Sequence, residues 1–348
     1  MTPAAQSGIL CGMTAPDPRA NPLLLGHAGP EAMLAEAMRS GRMHHAWLLT
    51  GPEGVGKATL AFRFARRLFA GPAPGASLAL DEQHKVFRRV AVGAHADLLT
   101  VEREYDAKKK KFRREIVVDD VRKVSEFLHL TPAEGGWRVV VVDGAEDMNR
   151  NAANALLKVL EEPPPRAILL LVCSAAGRLL PTIRSRCRCL RLAALDDAVM
   201  ADLMQRYLPD APPAERERLA ALGEGSIGRA LQLASGGAIG VSDLVGQVLD
   251  AVPELGAERA HAVADALGRD EDAFATFMDL LRAGVAAAVR GVASGRADPE
   301  QARLIGARPL DAWVDVWQGL ARLQDETEGL HLDKRQAILA GFALLAGR

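Results

Sequence analysis

The sequence predicts an α/β domain built on a mostly parallel sheet of five strands, followed by an all-helical C-terminal part. Between residue 21 and about residue 193, short apolar segments alternate with helical patterns, as is typical of parallel α/β architecture. Hydrophobic residues make up 49% of the 348-residue chain, which is enough to bury a sizeable core. From about residue 195 the strand signal stops, and abundant Ala and Leu favour helix.

Five segments have the length and composition of strands, and three of them are continuous apolar runs. The runs are Ala46 to Leu49, Val139 to Val142 and Ile168 to Val172, which suit strands covered on both faces. The predicted strands cover residues 46–50, 97–102, 137–142, 168–173 and 187–192. The predicted helices between them cover residues 30–40, 57–70, 119–130 and 149–161.

The rest of the chain is predicted to be helical. Residues 195–236 have the pattern of three short helices, and residues from about 240 onward have helical spacing without a nucleotide motif. We expect the core of this last part to contain Phe274, Phe277, Met278, Leu281, Val285, Trp313, Trp317, Leu320, Leu332, Leu339 and Phe342. The predicted segments are a flexible tail (1–20), an α/β domain (21–193), a small helical domain (194–238) and a larger helical domain (239–348).

The composition argues against several classes of protein. The net charge of −1 gives no overall attraction to nucleic acid, so any DNA contact has to be local. Neither a signal-peptide pattern nor an apolar run of membrane-spanning length occurs, so we expect a soluble cytoplasmic protein without membrane contact. The four cysteines, which include Cys11, fit neither a disulfide framework nor a zinc site. We expect Cys173, Cys187 and Cys189 to be small buried residues.

Lysines form the one low-complexity segment of the chain. Lys108 to Lys111 lies between the second predicted strand and the helix that opens at Asp119. Arg103, Arg113 and Arg114 flank it. Such a charge run predicts a solvated hairpin or loop. A contact with DNA phosphates or with a partner is the alternative.

Residues 51–58 form a phosphate-binding loop between an apolar strand and a helix. The glycines let backbone amides curl around phosphate oxygens at a helix N-terminus, and Lys57 supplies a positive charge. In active P-loop enzymes a Ser or Thr follows the lysine and ligates Mg²⁺. Here that residue is Ala58, and Thr59 lies about 100° further around the helix. The sequence therefore predicts a nucleotide site that has lost a metal ligand.

Asp143 ends the second apolar run, as the acidic residue of a Walker B strand does. Many ATPases of this class place Glu directly after that Asp to orient the attacking water, but here the position is Gly144. Glu146 lies two residues further on and is expected to point elsewhere. An ordinary aspartate at a strand end is the alternative. The candidate nucleotide-binding residues are Gly51, Gly54, Gly56, Lys57, Ala58 and Asp143, and no metal site is predicted.

Four segments carry a resemblance to a known family. Ser185-Arg186-Cys187, which follows Leu180-Pro181-Thr182-Ile183, resembles the SRC motif of bacterial clamp-loader subunits. Residues 154–164 are similar to the most recognisable stretch of the same AAA+ family. Residues 25–27 and 41–46 resemble the segments before its P-loop. The similarity covers about residues 21–236 and implies a P-loop AAA+ domain, a small helical lid and an all-α collar that oligomerises.

The departures from the motor subunits of this family imply a passive role. Three catalytic positions differ: Ala58, Gly144 and Gly228, where a Gly-Ser-x-Arg sensor would place an arginine that here comes one residue late, as Arg229. This combination resembles the delta-prime subunits of DNA polymerase III, a DNA-directed DNA polymerase. It implies a rigid stator without ATP hydrolysis, with no required cofactor and at most residual ATP or ADP binding. Because no cysteine lies between residues 71 and 142, we expect no zinc module.

The resemblance implies that Arg186 acts in trans on a neighbouring ATPase subunit. A planar guanidinium donates to two phosphate oxygens and stays charged at any working pH. Supplied in trans, such an arginine contributes about 10³–10⁵ in turnover. A structural salt bridge is the alternative for Arg186. Arg184, Arg188 and Arg191 are expected to be surface charges, with contact to the neighbour or to DNA as the alternative.

The partners that the resemblance implies are the gamma/tau motor subunits and the delta subunit. The sliding clamp and primed DNA follow through the assembly. Three other functions stay open on the sequence alone. They are an active clamp-loader ATPase of the motor type, an unrelated P-loop enzyme such as a nucleotide kinase, and a non-enzymatic module in DNA repair or recombination.

Overall fold

The computed structural model describes residues 16–71, 77–106, 111–134, 136–235, 238–252, 254, 256–267 and 271–347. Contacts within the chain divide it into two compact units, with the boundary between Leu231 and Gln232. The first unit holds the sheet and its covering helices, and the second is made of helices alone.

A five-stranded sheet forms the centre of the first unit, and all its neighbouring strands are parallel. Its strands are β1 (Ala46–Thr50), β2 (Leu98–Val101), β5 (Arg138–Asp143), β6 (Ala167–Cys173) and β7 (Arg188–Arg191). Their order is β2-β5-β6-β1-β7, so β1 lies inside the sheet. A separate hairpin pairs β3 (Tyr105–Asp106) with β4 (Lys111–Phe112). The predictions of an α/β class and of a mostly parallel five-stranded sheet are confirmed.

Nine helices of the described residues precede, connect or follow the strands of this sheet. Where the sequence predicts a helix, its first and last residues lie close to the predicted ones. The six that precede β7 in the chain are α1 (Ala28–Arg39), α2 (Lys57–Ala70), α3 (Lys85–Ala91), α4 (Val118–His129), α5 (Arg150–Glu161) and α6 (Pro181–Arg184). The three that follow β7 are α7 (Asp197–Tyr207), α8 (Pro213–Leu222) and α9 (Ile227–Ser235). The sequence did not predict α3 or α6, because each is too short for a clear periodicity. The β3–β4 pairing agrees with the hairpin or loop that the lysine run predicts.

Helices cover both faces of the sheet, because side chains along each strand point alternately to one face and the other. In β1, Trp47 and Leu49 pack in the core beneath α1, α2 and α3. Ala46 and Leu48 pack in the core beneath α4, α5 and α6. Strands buried on both faces explain why the sequence shows continuous apolar runs. In such open sheets, ligands bind beyond the carboxyl ends of the strands.

The segment just before α1 is held against α2 by a buried arginine. Arg66 donates hydrogen bonds to the backbone oxygens of Arg19 (2.9 Å) and Asn21 (2.8 Å), and its guanidinium lies over the Phe87 ring. Burial lowers the pKa of Arg66 to about 10. These contacts involve Arg19, at the end of the segment predicted as a flexible tail (1–20). Residues 1–15 lie outside the described residues.

The second unit contains α10 (Ala238–Ala251), α11 (Ala257–Leu267), α12 (Glu271–Ala293), α13 (Pro299–Gly306), α14 (Leu310–Leu330) and α15 (Lys334–Ala346). The predicted core residues on α12 are all buried. Two predictions are wrong: Trp317 is exposed, with the Arg282 guanidinium 4.8 Å from the centre of its ring, and Leu332 is exposed beyond the end of α14. Across the described ranges, no helix combines the length and apolar character that a membrane span needs.

Candidate functional site

A cavity of about 670 Å³ lies at the carboxyl ends of β1, β5 and β6, within the first unit. Five of the six candidate nucleotide-binding residues line it. The sixth, Gly51, does not, but its backbone oxygen accepts a hydrogen bond from Lys57 Nζ. At Gly51 the backbone has φ +148°, and a Cβ atom there would stand 2.2 Å from the oxygen of Leu192. The volume is within the range of pockets that bind small ligands.

Groups outside the P-loop bind three of its consecutive carbonyl oxygens. Ser226 Oγ donates to the oxygen of Glu53 (2.7 Å), and the amide of Gly228 donates to that of Gly54 (2.9 Å). His27 Nε2 donates to the oxygen of Val55 (2.7 Å). His27 is buried, and this burial lowers its pKa. The first helix and the lid therefore fix the conformation of the loop.

Lys57 is buried at the start of α2, with only 5% of its surface exposed. Its Nζ donates to the backbone oxygens of Gly51 (3.0 Å) and Pro52 (2.6 Å). Burial lowers the pKa of Lys57, while the carboxylates of Glu146, Glu53 and Asp143 act in the opposite direction. The ammonium group is thus poised at an anion site that carries several negative charges of its own.

The lid meets the P-loop through two glycines. Gly228, at the position where a sensor arginine would stand, lies so close to Gly54 that a Cβ atom on Gly228 would be 2.8 Å from the Gly54 Cα. Gly54 has φ +72°, and a Cβ atom there would be 2.4 Å from Ser226 Oγ. Side chains are therefore excluded from both positions in this arrangement, because real Cβ atoms do not approach other atoms this closely.

The two positions that would serve metal and water lack the required groups. Ala58 lines the cavity with a methyl group, which offers no oxygen for Mg²⁺. Gly144 follows Asp143 in the left-handed region, with φ +73° and ψ +49°. A glutamate at this position would be strained in the same backbone conformation. Within the described part of the chain, no cluster of three His, Cys, Asp or Glu residues could hold a metal ion.

Glu146 contributes to the cavity, which corrects the expectation that it points elsewhere. Its Oε1 accepts hydrogen bonds from the amides of Ser174 (2.7 Å) and Ala175 (3.2 Å), at the end of β6. Its Oε2 is buried and has no hydrogen-bond partner among the described residues. The 3₁₀ turn Ala145–Asp147 carries the side chain back over the site. No short-range pattern in the sequence signals this turn.

Charge also accumulates around Asp143. Burial raises the pKa of Asp143, and the nearby carboxylate of Glu102 raises it further, whereas Lys57 and Arg19 lower it. Glu102 itself pairs with Arg19 at 2.7 Å. The cavity thus holds a partly buried carboxylate with a raised pKa, next to a lysine that is partly desolvated.

The other end of the cavity is apolar, and sequence reasoning missed it. Asn21 and Tyr207 mark its rim, where the Asn21 amide donates to the Tyr207 hydroxyl at 3.1 Å. An apolar end beside a P-loop suits a ligand with a planar base and a phosphate tail. The apolar side chains that line it are Leu23, Leu24, Leu25, Leu195, Leu203, Ile227 and Leu231.

Arg186 does not line this cavity. It follows α6 and is partly exposed, with 36% of its side-chain surface accessible. Its guanidinium pairs with Glu161 at 2.7 Å and donates to the backbone oxygen of Thr182 at 3.0 Å. An ion pair between half-exposed side chains is worth about 0–1 kcal/mol, so the pairing within the chain is easily given up.

The other arginines near Arg186 are exposed, as expected. Arg184, Arg188 and Arg191 have no ion pair among the described residues, and Arg188 lies over the Trp47 ring at 4.9 Å. The cysteine prediction is only partly correct. Cys173 is buried and Cys187 is partly buried, whereas Cys189 is exposed at the edge of the sheet. Burial raises the pKa of the Cys173 and Cys187 thiols to about 12.

Comparison with known proteins matches residues 27–196 to the family model described as "DNA polymerase III, delta subunit". These residues hold the P-loop, Asp143 and Arg186. The match confirms the suspected resemblance over these residues.

Clamp-loader relatives of two kinds match the chain. DNA polymerase III subunit delta' of Pseudomonas aeruginosa is 40% identical over 211 residues, which are 61% of each chain. Subunit gamma/tau of Mycobacterium bovis is 31% identical over 343 residues, which cover 87% of this chain and 58% of that protein. The matches thus span less than two thirds of the relatives' own lengths. A gamma subunit-related protein from Thermotoga maritima has a TM-score of 0.46 at 19% identity, with 90% of this chain and 99% of that one covered.

Proposed function

We propose that this chain is a non-hydrolysing, delta-prime-type subunit of the clamp loader. In this role it supplies Arg186 to the ATP site of a neighbouring gamma/tau-type subunit. The assembly, which also contains a delta-type subunit, then loads the sliding clamp onto primed DNA. The observation that carries the proposal is the pairing of a disabled phosphate site with an accessible arginine on the same AAA+ domain.

The disabled site argues against hydrolysis by this chain. Ala58 offers no oxygen to a metal, and the glycine after Asp143 cannot carry a carboxylate that aims water. The sensor position at Gly228 is a backbone contact with the P-loop rather than a charged side chain. Loss of metal ligation, water orientation and sensor charge together removes the electrostatic terms on which phosphoryl transfer depends.

Nucleotide binding without turnover remains compatible with the site. The P-loop, the Lys57 ammonium and the apolar end together suit the phosphate tail and base of ATP or ADP. Magnesium fits less well, because its usual hydroxyl ligand is absent. We therefore propose a site that takes nucleotide weakly or not at all and serves mainly as a scaffold. No zinc or other cofactor forms part of the proposal.

The arginine supports a role in trans because of where it lies. Arg186 is partly exposed at the surface beside the edge strand β7, away from the chain's own P-loop cavity. When the guanidinium leaves its weak surface ion pair with a carboxylate and binds a phosphate, it gains a partner that carries more negative charge. This exchange is favourable at a desolvated subunit interface.

The test is the DNA-stimulated ATPase of an assembly reconstituted from this chain with its motor and delta-type subunits. Arg186→Ala should lower single-turnover hydrolysis at the neighbouring site by about 10³-fold or more. Arg184→Ala is the matched control, since Arg184 is exposed two residues away and has no ion pair among the described residues. Equal turnover in the two variants would rule out the trans role.

A motor-type clamp-loader ATPase is the second candidate. The carboxylate of Glu146 in the cavity favours it, as does the match with gamma/tau relatives over most of the chain. This function requires the isolated chain to hydrolyse ATP and to lose that activity in Lys57→Ala. We expect the purified chain not to hydrolyse ATP, with or without the Lys57→Ala substitution.

A further inference from the structure

A carboxylate is fixed inside the P-loop cavity, at the carboxyl ends of the strands. Glu146 lines the cavity, and its Oε1 accepts hydrogen bonds from the amides of Ser174 (2.7 Å) and Ala175 (3.2 Å). Its Oε2 is buried and has no hydrogen-bond partner among the described residues. Because two backbone donors at the end of β6 hold one oxygen of the group, the carboxylate is an ordered part of the cavity wall.

The charge of Glu146 acts on three neighbouring groups. Burial lowers the pKa of Lys57, and among the acidic side chains that oppose this shift Glu146 has the largest effect. Burial raises the pKa of Asp143, and the carboxylates of Glu102 and Glu146 raise it further. Burial, and after it the charge of Glu146, raise the pKa of the Cys173 thiol to about 12. These groups lie where β1, β5 and β6 end, so Glu146 makes the potential there more negative.

The cations in the described lining of the cavity do not cancel this charge. Arg103 already pairs with Asp147 at 3.2 Å. Arg178 is exposed, so ions in the solvent screen its guanidinium. Lys57 is buried, but its Nζ donates to two carbonyl oxygens of its own loop. A bound phosphate would therefore have to share this ammonium group with the carboxylate of Glu146.

We propose that Glu146 is a built-in anion that excludes phosphate groups from this P-loop. A nucleotide would bring further negative charge, and its ionised phosphate oxygens could only accept hydrogen bonds, as the unpartnered Oε2 does. Like charges repel each other more strongly in a partly desolvated cavity than in water. The residue after Lys57 is Ala58, so the hydroxyl through which Mg²⁺ would offset this repulsion is absent.

This role of Glu146 rests on the proposed function and deepens it, because Glu146 is then the residue that keeps nucleotide out of a non-hydrolysing site. The excluded ligands are nucleoside di- and triphosphates, whereas an uncharged nucleoside is not repelled. A catalytic base is the competing role for the same carboxylate. The two roles predict opposite results, since removal of a base lowers ATP hydrolysis and removal of an excluding anion strengthens nucleotide binding.

The first test measures the binding of ADP to the purified full chain in EDTA, by isothermal titration calorimetry. Glu146→Gln keeps an oxygen that accepts from the two amides but removes the negative charge. Its Kd for ADP should be lower than that of the unchanged chain by about tenfold or more. Glu162→Gln is the control, because Glu162 is exposed and does not line the cavity, and its Kd should stay within about twofold. If the unchanged chain binds too weakly to measure, the lower limit on its Kd gives the comparison.

The second test repeats these titrations with adenosine, which carries the base but no phosphate. Glu146→Gln should change adenosine binding by no more than about twofold, because the ligand has no charge for the carboxylate to repel. A substitution that only loosens the cavity would instead change the affinities for ADP and adenosine together. Circular dichroism and the urea midpoint check that the variant folds, and Glu146→Ala, which also removes the charge, is the second variant for both tests.

Three results would overturn the exclusion of phosphate by Glu146. The first is equal ADP binding by the variants and the unchanged chain, which includes the case that none of them binds ADP. The second is an equal gain in affinity for ADP and adenosine. Neither of these touches the ATPase experiment on Arg186, so the proposed function would stand. The third is ATP hydrolysis by the unchanged chain with Mg²⁺ that Glu146→Gln abolishes, which would make Glu146 a catalytic residue and overturn the proposed function as well.

Discussion

The P-loop end and the Arg186 end of the first unit are built in opposite ways. At the P-loop, a buried lysine, three bound carbonyl oxygens and a glycine-to-glycine contact hold the site from several directions. Arg186, in contrast, is held by one half-exposed ion pair and one backbone contact. The P-loop region, which resembles an active site, is therefore held in place by several contacts. The region around Arg186 keeps an accessible guanidinium.

This difference is what the proposed function requires of the domain. Buried polar contacts are costly to break one at a time, because each leaves an unsatisfied partner. A surface ion pair is cheap to exchange. A stator that acts on a neighbour would need both a rigid P-loop and an arginine side chain that is free to change its partner. Three changes test the contrast, and they follow in decreasing order of their consequences for the protein.

The contact between lid and P-loop should be sensitive to a single methyl group. Gly228→Ala places a Cβ atom 2.8 Å from the Gly54 Cα. Backbone hydrogen bonding holds the two residues together, so the contact cannot relax easily. We expect a loss of about 1–3 kcal/mol in the free energy of unfolding, as for overpacking of a close contact. Urea denaturation measures it. Gly177→Ala is the control, because a Cβ atom there meets nothing within 4 Å. Equal urea midpoints for the two variants would mean that the contact between Gly228 and Gly54 does not stabilise the fold.

The buried histidine behind the P-loop should make stability depend on pH. Burial lowers the pKa of His27 below the ordinary 6.5. The unfolded chain then binds the proton more readily than the folded one, so stability is complete above about pH 6.5 and is lost as the pH falls towards the lowered value. His27→Gln keeps a side-chain donor but cannot titrate, so its unfolding free energy should fall less steeply with acid.

Two other histidines, of which His95 is buried and His45 partly buried, set the background of this measurement. Burial also lowers the pKa of His45 and His95, so part of the acid sensitivity should persist in His27→Gln. Urea melts at a series of pH values between about 5 and 8 separate the contributions. Identical slopes for the variant and the unchanged chain would show that His27 is not kept neutral by the fold.

Removing the partner of Arg186 should change the protein least. Glu161→Gln leaves the arginine in place and breaks only a half-exposed ion pair, so the unfolding free energy should change by less than about 1 kcal/mol. In the reconstituted assembly, turnover should stay within about twofold of the unchanged value, because Arg186 remains available. A loss as large as that of Arg186→Ala would make the ion pair itself the working unit.

Most of the secondary structure and part of the site could be predicted from sequence. All five strands and the main helices of the AAA+ domain follow from apolar runs and helical periodicity. The P-loop follows from its glycine spacing between strand and helix. Glu146 could not be placed, because a 3₁₀ turn decides its direction. Trp317 was misassigned to the core, because helical spacing alone does not say which turns of a long helix have a partner.

The order of amino acids establishes which chemical groups the chain possesses: a lysine and glycines for phosphate, no hydroxyl for a metal, no carboxylate after Asp143, and an arginine after Ser185. Which of these groups meet depends on the folded chain. Gly228 reaches Gly54 and Glu146 returns to the cavity, because folding joins segments that no local pattern connects. Local propensities act over a few residues, whereas contacts of this kind are set by how whole elements pack.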